Sequence, residues 1–188
     1  MAIRNVLLDS DEILRKISKP VERLTPTLLT LLDDMADTLD SADGIGLAAP
    51  QVGILRRIVI VRVPDDDILY ELINPEVIET DGVQEKMEGC LSVDGIAGLV
   101  KRPTYVKVRG KNRRFEPYEI EATGLLAIAL VHEIDHLDGI LYTDKATKIM
   151  STSSQEYKDY IAEEERQEDA EKREKRRAWR AAKRRRVG

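Results

Sequence analysis

Apolar positions along this chain fall into a few periodic runs. Leu28, Leu29, Leu31, Leu32 and Met35 recur at helical spacing up to about Leu39, and Pro26, following Thr25, marks the start of that helix. Short runs rich in β-branched and aromatic residues predict strands at 57–63, 70–74, 76–80, 105–110 and 118–123. Residues 124–131 read GLLAIALV and are apolar almost throughout. They predict a helix from about Thr123 to Leu137, stopping before Gly139 and buried on every side. Strands first and a central helix afterwards predict an α+β domain, with antiparallel strands packed around that buried helix. No internal repeat is evident.

Polar residues interrupt the apolar helix at one place. The chain has two histidines, and both lie in His132-Glu133-Ile134-Asp135-His136. Positions four apart share a helix face, so both imidazoles reach one metal ion. Glu133 lies beside the first of them, where it can take a proton from a metal-activated water. This His-Glu-x-x-His spacing points to metal-assisted amide hydrolysis, and it is specific only in a helical setting, which is present. The bland alternative is a solvated helix with two histidines; burial argues against it, because buried imidazoles and a buried carboxylate need partners.

An open catalytic metal site takes three protein ligands. The single cysteine, Cys90, lies in Glu88-Gly89-Cys90-Leu91-Ser92. A lone cysteine is most often a small buried hydrophobe. Here Gly89 permits close backbone approach, and a thiolate with two imidazoles makes a Cys-His-His ligand set. A third stretch, Gly44-Ile45-Gly46-Leu47-Ala48-Ala49-Pro50-Gln51, joins small residues to an amide side chain. It lacks the Gly-Lys-Ser/Thr ending of a phosphate loop, and its bland reading is a turn after the helix.

Taken in order, GIGLAAPQ, EGCLS and HEIDHLDG resemble the three motifs of the peptide deformylases. The resemblance extends from residues 11–21 (DEILRKISKPV) to about Asp144. Val131 departs from it, standing where many members have glutamine; that position is not a ligand. The resemblance implies that Cys90, His132 and His136 are metal ligands and that Glu133 is the general base and acid. Gln51 and the Leu91 backbone amide would stabilise the oxyanion. The backbone of Ile45, Gly46 and Gly89 would hold substrate as an added strand. Ile45, Leu125, Ile128 and Ala129 would line a pocket for a methionine side chain, and Arg102 would lie near the peptide-binding surface. The implied reaction removes the N-formyl group from the N-terminal formylmethionine of newly synthesised polypeptides and releases formate. In it, metal-bound hydroxide attacks the formyl carbon. The implied cofactor is one divalent metal, ferrous iron, with nickel, cobalt or zinc able to take the site.

Composition changes the picture at one end. The 188 residues suffice for one domain with a real core, and 42% of them are hydrophobic. No apolar run approaches the roughly 20 residues of a membrane helix. The N-terminus lacks signal-peptide architecture, and a single free cysteine suits a reducing compartment, so the expected setting is a bacterial cytoplasm with no membrane partner. The expected division is a catalytic domain at 1–152 and a long charged helix or tail at 153–188. Residues 166–188 hold 11 Lys and Arg against 4 Asp and Glu, a net +7; the other 165 residues hold 19 against 31, a net −12. Such a segment is ordinarily a solvated, frayed helix or a disordered tail. With Trp179 among arginines, it also suits a polyanion, and ribosomal RNA is the expected partner for an enzyme of nascent chains.

Two other classes compete. A zinc endopeptidase with the same helix would take a downstream glutamate as third ligand, and Glu156 stands about twenty residues past His136. A ribosome-associated binding protein with a structural metal would need a closed four-ligand site.

Overall fold

The structure is a computed structural model that describes residues 2–64 and 68–186. It divides into two units, Met1–Ile149 and Met150–Gly188. The first holds two helices, α1 (Pro26–Ser41) and α2 (Gly124–Leu137), and most of the strands. β1 (Gly46–Ala48), β2 (Ile58–Val61), β3 (Tyr70–Asp81), β6 (Tyr105–Lys111) and β7 (Pro117–Thr123) form one sheet, in the order β1-β2-β3-β6-β7. Every pairing in it is antiparallel. β4 (Gln84–Cys90) and β5 (Val93–Arg102) form an antiparallel hairpin in a second sheet, ordered β4-β5-β8, with β8 at Ala146–Ser151. The expected α+β class is the observed one.

The larger sheet is covered on both faces, which explains the unbroken apolar run of β2. Val59 and Val61 face α2, packing with Ala127, Leu130, Ile134 and Leu137. Ile58 and Ile60 face the other way, onto Leu31, Leu32, Met35 and Leu39 of α1. Alternate residues of one strand thus feed two cores, and α2 sits between sheet and hairpin. A third cluster joins Leu14, Val93, Val100, Leu141 and Tyr142.

The two helices start in different ways. The Thr25 hydroxyl accepts from the Leu28 amide at 3.3 Å, with Pro26 in the first turn. α2 begins at Gly124, directly after β7, where φ is +57°. That left-handed backbone turns the chain sharply from strand into helix and favours glycine.

Several strands depart from expectation. Residues 70–80 form one strand, not two. Asn74 at φ +53° and a register shift between Ile73 and Glu76 absorb Pro75 without ending the pairing. β4 and β5 were not foreseen, because QEKMEGC and VDGIAGLVKR mix charges and glycines and lack apolar alternation. GIGLAAPQ is not a plain turn: it forms β1 and a 3-10 turn at Ala49–Val52.

The second unit contains α3 (Gln155–Arg186). Ser154 Oγ accepts from the Tyr157 amide at 3.2 Å and so caps its first turn. Pairs one turn apart line it, among them Gln155 with Asp159 at 2.9 Å and Arg166 with Glu163 at 2.9 Å. The expected charged helix is present. Trp179 is 62% exposed, and Val187 and Gly188 of the basic segment lie outside the described residues. Among the described residues, no helix is long and apolar enough to cross a membrane.

Candidate active site

Three segments meet at one end of α2. The helix presents His132, Glu133 and His136, all buried. The end of β4 brings Cys90, and the turn after β1 brings Gln51. Cys90, His132 and His136 each offer a ligand atom, and those atoms lie within 4.8 Å of one another. Cys90 Sγ is 3.3 Å from His136 Nε2. Cys90 is only partly buried, which sets it apart from a packed core cysteine. Among the described residues of the first unit, these three make up the cluster.

Two of the ligand candidates, His132 and Cys90, are held from behind, whereas His136 Nδ1 is buried with no hydrogen-bond partner among the described residues. His132 Nδ1 is 2.8 Å from Glu88 Oε2, which leaves Nε2 for the Cys90 side. Its ring also stacks on Tyr142, centroid to centroid 5.9 Å, and the Tyr142 hydroxyl donates to the Ile96 carbonyl at 3.0 Å. Cys90 Sγ receives the Ser92 amide at 3.4 Å and the Gln51 Nε2 amide at 3.5 Å. Gln51 is fixed at both ends. Its Oε1 accepts from the Ala48 amide at 2.7 Å, and its Nε2 donates to Ser92 Oγ at 3.1 Å.

Glu133 stands apart from this bonding. Its Oε2 is buried without a hydrogen-bond partner, and burial pushes its carboxyl up to about 7, against the pull of His132. Its other oxygen packs onto Gly46, where any Cβ would overlap the carboxylate. Gly46 is therefore needed to make room for Glu133, in addition to any contact with substrate. Burial opposes a charge on His132, yet the hydrogen bonds it donates to Cys90 and Glu88 outweigh it and hold its pKa up at about 10.

The donor set suits a metal. A thiol and two imidazoles offer ligand atoms within 4.8 Å of one another, with the Glu88 carboxylate behind His132, and a cation held by the three would meet that concentration of electron-pair donors. The buried, unpartnered Glu133 oxygen beside them is the further sign of a site built for more than protein atoms. A thiolate with two imidazoles suits zinc, iron, cobalt or nickel.

A cavity of about 380 Å³ opens onto these groups. Ile45, Gly46, Gln51, Gly89, Cys90, Leu91, Leu125, Ile128, Ala129, His132 and Glu133 all contribute to its lining. Every residue singled out in the sequence for substrate contact is there, except one. Arg102 does not line it. Its side chain is 2% exposed and forks onto Glu88, with Nε to Oε1 at 2.7 Å and Nη2 to Oε2 at 2.9 Å. Its Nη1 meets Asp135 Oδ2 at 2.6 Å. The expectation that Arg102 lies near the peptide-binding surface is corrected: a guanidinium with two buried carboxylates in reach is drawn inward to pair them. The sequence reading missed Glu88, Ser92, Asp135 and Tyr142. Glu88 sits inside EGCLS and Asp135 inside HEIDH, so their neighbourhood was a signal, though their partners were not.

Comparison with known proteins agrees with this geometry. Residues 3–152 match the family model described as polypeptide deformylase. A peptide deformylase of Acetivibrio thermocellus is 53% identical over 156 residues, covering 83% of this chain and 91% of that protein. One from Lachnoclostridium phytofermentans is 55% identical over 148 residues, covering 77% and 90%. The crystal structure of a peptide deformylase from Legionella pneumophila superposes with a TM-score of 0.75 at 44% identity, covering 78% of this chain and 87% of that one. Relatives this close, matched along nearly the whole first unit, place the chain in the polypeptide deformylase family of enzymes.

Proposed function

We propose that this enzyme removes the formyl group from the N-terminal formylmethionine of newly made polypeptides, by hydrolysis at a metal held by Cys90, His132 and His136. The observation that carries this reading is the Cys-His-His cluster with Glu133 beside it, at the floor of an apolar cavity. When bound, a divalent cation polarises the formyl carbonyl and lowers the pKa of water. Iron is the proposed native metal, and the free thiolate it would use favours a reducing, cytoplasmic setting.

The side chains divide the remaining work. Glu133 takes the proton from the attacking water, and oxygen adds to the formyl carbon. The carbon–nitrogen bond then breaks, Glu133 returns the proton to the leaving amine, and formate departs. Its raised pKa suits a group that must both accept and donate near neutral pH. Gln51 is locked through its Oε1, so its amide N–H groups are already turned toward the Cys90 side. There they and the Leu91 backbone amide would meet charge developing on the former carbonyl oxygen. The edge formed by Ile45, Gly46 and Gly89 would pair with an extended substrate. Ile45, Leu125, Ile128 and Ala129 give an unbranched thioether side chain an apolar wall. The basic end of α3 is proposed to meet ribosomal RNA.

Metal content tests the ligand set. Protein with Cys90→Ser should bind far less metal than wild type, because a hydroxyl is a poor ligand beside a thiolate. Glu156→Gln should bind the full amount. The opposite result would favour the endopeptidase ligand set.

A further inference from the structure

The buried pairs behind His132 continue outward to a residue that lies past the third motif. Glu88 meets His132 on one side and Arg102 on the other. Arg102 meets Asp135, and Asp135 meets Lys145, whose Nζ lies 2.8 Å from Oδ1 and 2.7 Å from Oδ2. The four groups alternate in sign as Glu88, Arg102, Asp135 and Lys145, and Lys145 is the second cation on Asp135. Exposure rises from Arg102 outward: Glu88 and Arg102 are 3% and 2% exposed in their side chains, Asp135 12% and Lys145 38%. Lys145 is thus the member through which the buried series reaches solvent.

We infer that Lys145 is a positioning residue for the metal site, acting through Asp135, Arg102 and Glu88 on the orientation of His132. Arg102 is shared between two carboxylates. Lys145 satisfies Asp135 from outside and lets Arg102 keep its two-pronged hold on Glu88. Without Lys145, Asp135 is a largely buried carboxylate with Arg102 as its remaining cation in this network, and the guanidinium is drawn toward it. Glu88 is then held less firmly, and the His132 ring loses part of its fixed orientation. Partners behind metal-ligating histidines typically change metal affinity about 10–100-fold when removed. Lys145 stands three contacts further back, so its effect belongs at the low end.

This inference rests on the ligand set proposed above, and its test separates the two. Wild type, Lys145→Met, Lys145→Arg and Arg15→Met are loaded with Co²⁺. The rate of metal loss to a chelator and the visible absorption of the bound ion are then recorded. Arg15 pairs with Asp144 at the surface of the same segment, so Arg15→Met loosens that segment without touching the series. Lys145→Met should lose cobalt about 10-fold faster and show an altered spectrum, Lys145→Arg should recover most of the difference, and Arg15→Met should match wild type. Wild-type loss and spectrum in Lys145→Met would overturn the inference while leaving the ligand set standing. Equal acceleration in Arg15→Met would overturn it too, by making the effect one of general loosening. Failure of wild type to bind cobalt would overturn the ligand set and this inference together.

Discussion

At the scale of single residues, the geometry ties two positions to one outcome. Glu133→Gln should keep the metal, since Glu133 is not a ligand candidate, and lose about 10²–10⁴-fold in turnover, the usual worth of general acid–base work. Gly46→Ala should imitate it, because a methyl group there occupies the space of the Glu133 carboxylate. The check is kcat alongside bound metal and melting temperature. Near-full turnover in either variant, with metal bound and the fold intact, would mean that Glu133 works elsewhere. The ligand candidates were legible in the chain because two histidines and one cysteine leave few combinations. Arg102 was misplaced for a physical reason. An arginine is ordinarily exposed, and nothing local reveals that Glu88 and Asp135 will converge on it from β4 and α2.

At the scale of elements, helical periodicity survived folding and strand patterning did so unevenly. α1 and α2 were foreseen within two residues, since apolar spacing and, for α1, the Thr25 cap are local. The β4–β5 hairpin, which delivers Cys90, was not. Its residues owe their extended form to pairing and to packing beside α2, and their own propensities do not demand it. A further tie lies between α1 and the chain start. Asp34 Oδ1 accepts the Ala2 amide at 2.8 Å, and its Oδ2 accepts from Arg4 at 2.9 Å. The Ala2 amide first, and then Arg4 against the cost of burial, hold the Asp34 carboxyl below its ordinary value of 3.8. A lowered native pKa stabilises the fold above the unfolded value, and that contribution disappears as pH falls through the native one. Asp34→Asn should therefore lower stability at neutral pH by an amount that shrinks below about pH 4. Chemical denaturation across pH measures this. A wild-type-minus-variant difference that stays constant into acid would refute the assignment.

At the scale of the whole molecule, the chain divides its chemistry from its charge. Every candidate catalytic and ligand residue lies in the first unit, and the basic residues from 166 onward lie in the second. The second unit begins at Met150, within β8, and carries the whole of α3. Ending the chain after Ser153 should leave formate release from a short formyl peptide intact. It should also weaken ribosome binding, and binding by the full chain should fall steeply with salt as phosphate contacts release counterions. Equal ribosome affinity with and without the tail, or binding that salt does not alter, would remove the RNA partner from the account. Unfolding of the shortened chain would show that α3 supports the first unit.

The measurement closest to the central claim is formate release from a formyl-methionyl peptide by protein purified without oxygen in the presence of iron. The account predicts about one iron per chain and continuous turnover that Glu133→Gln suppresses without loss of metal. Iron-loaded, folded protein that releases no formate would contradict it.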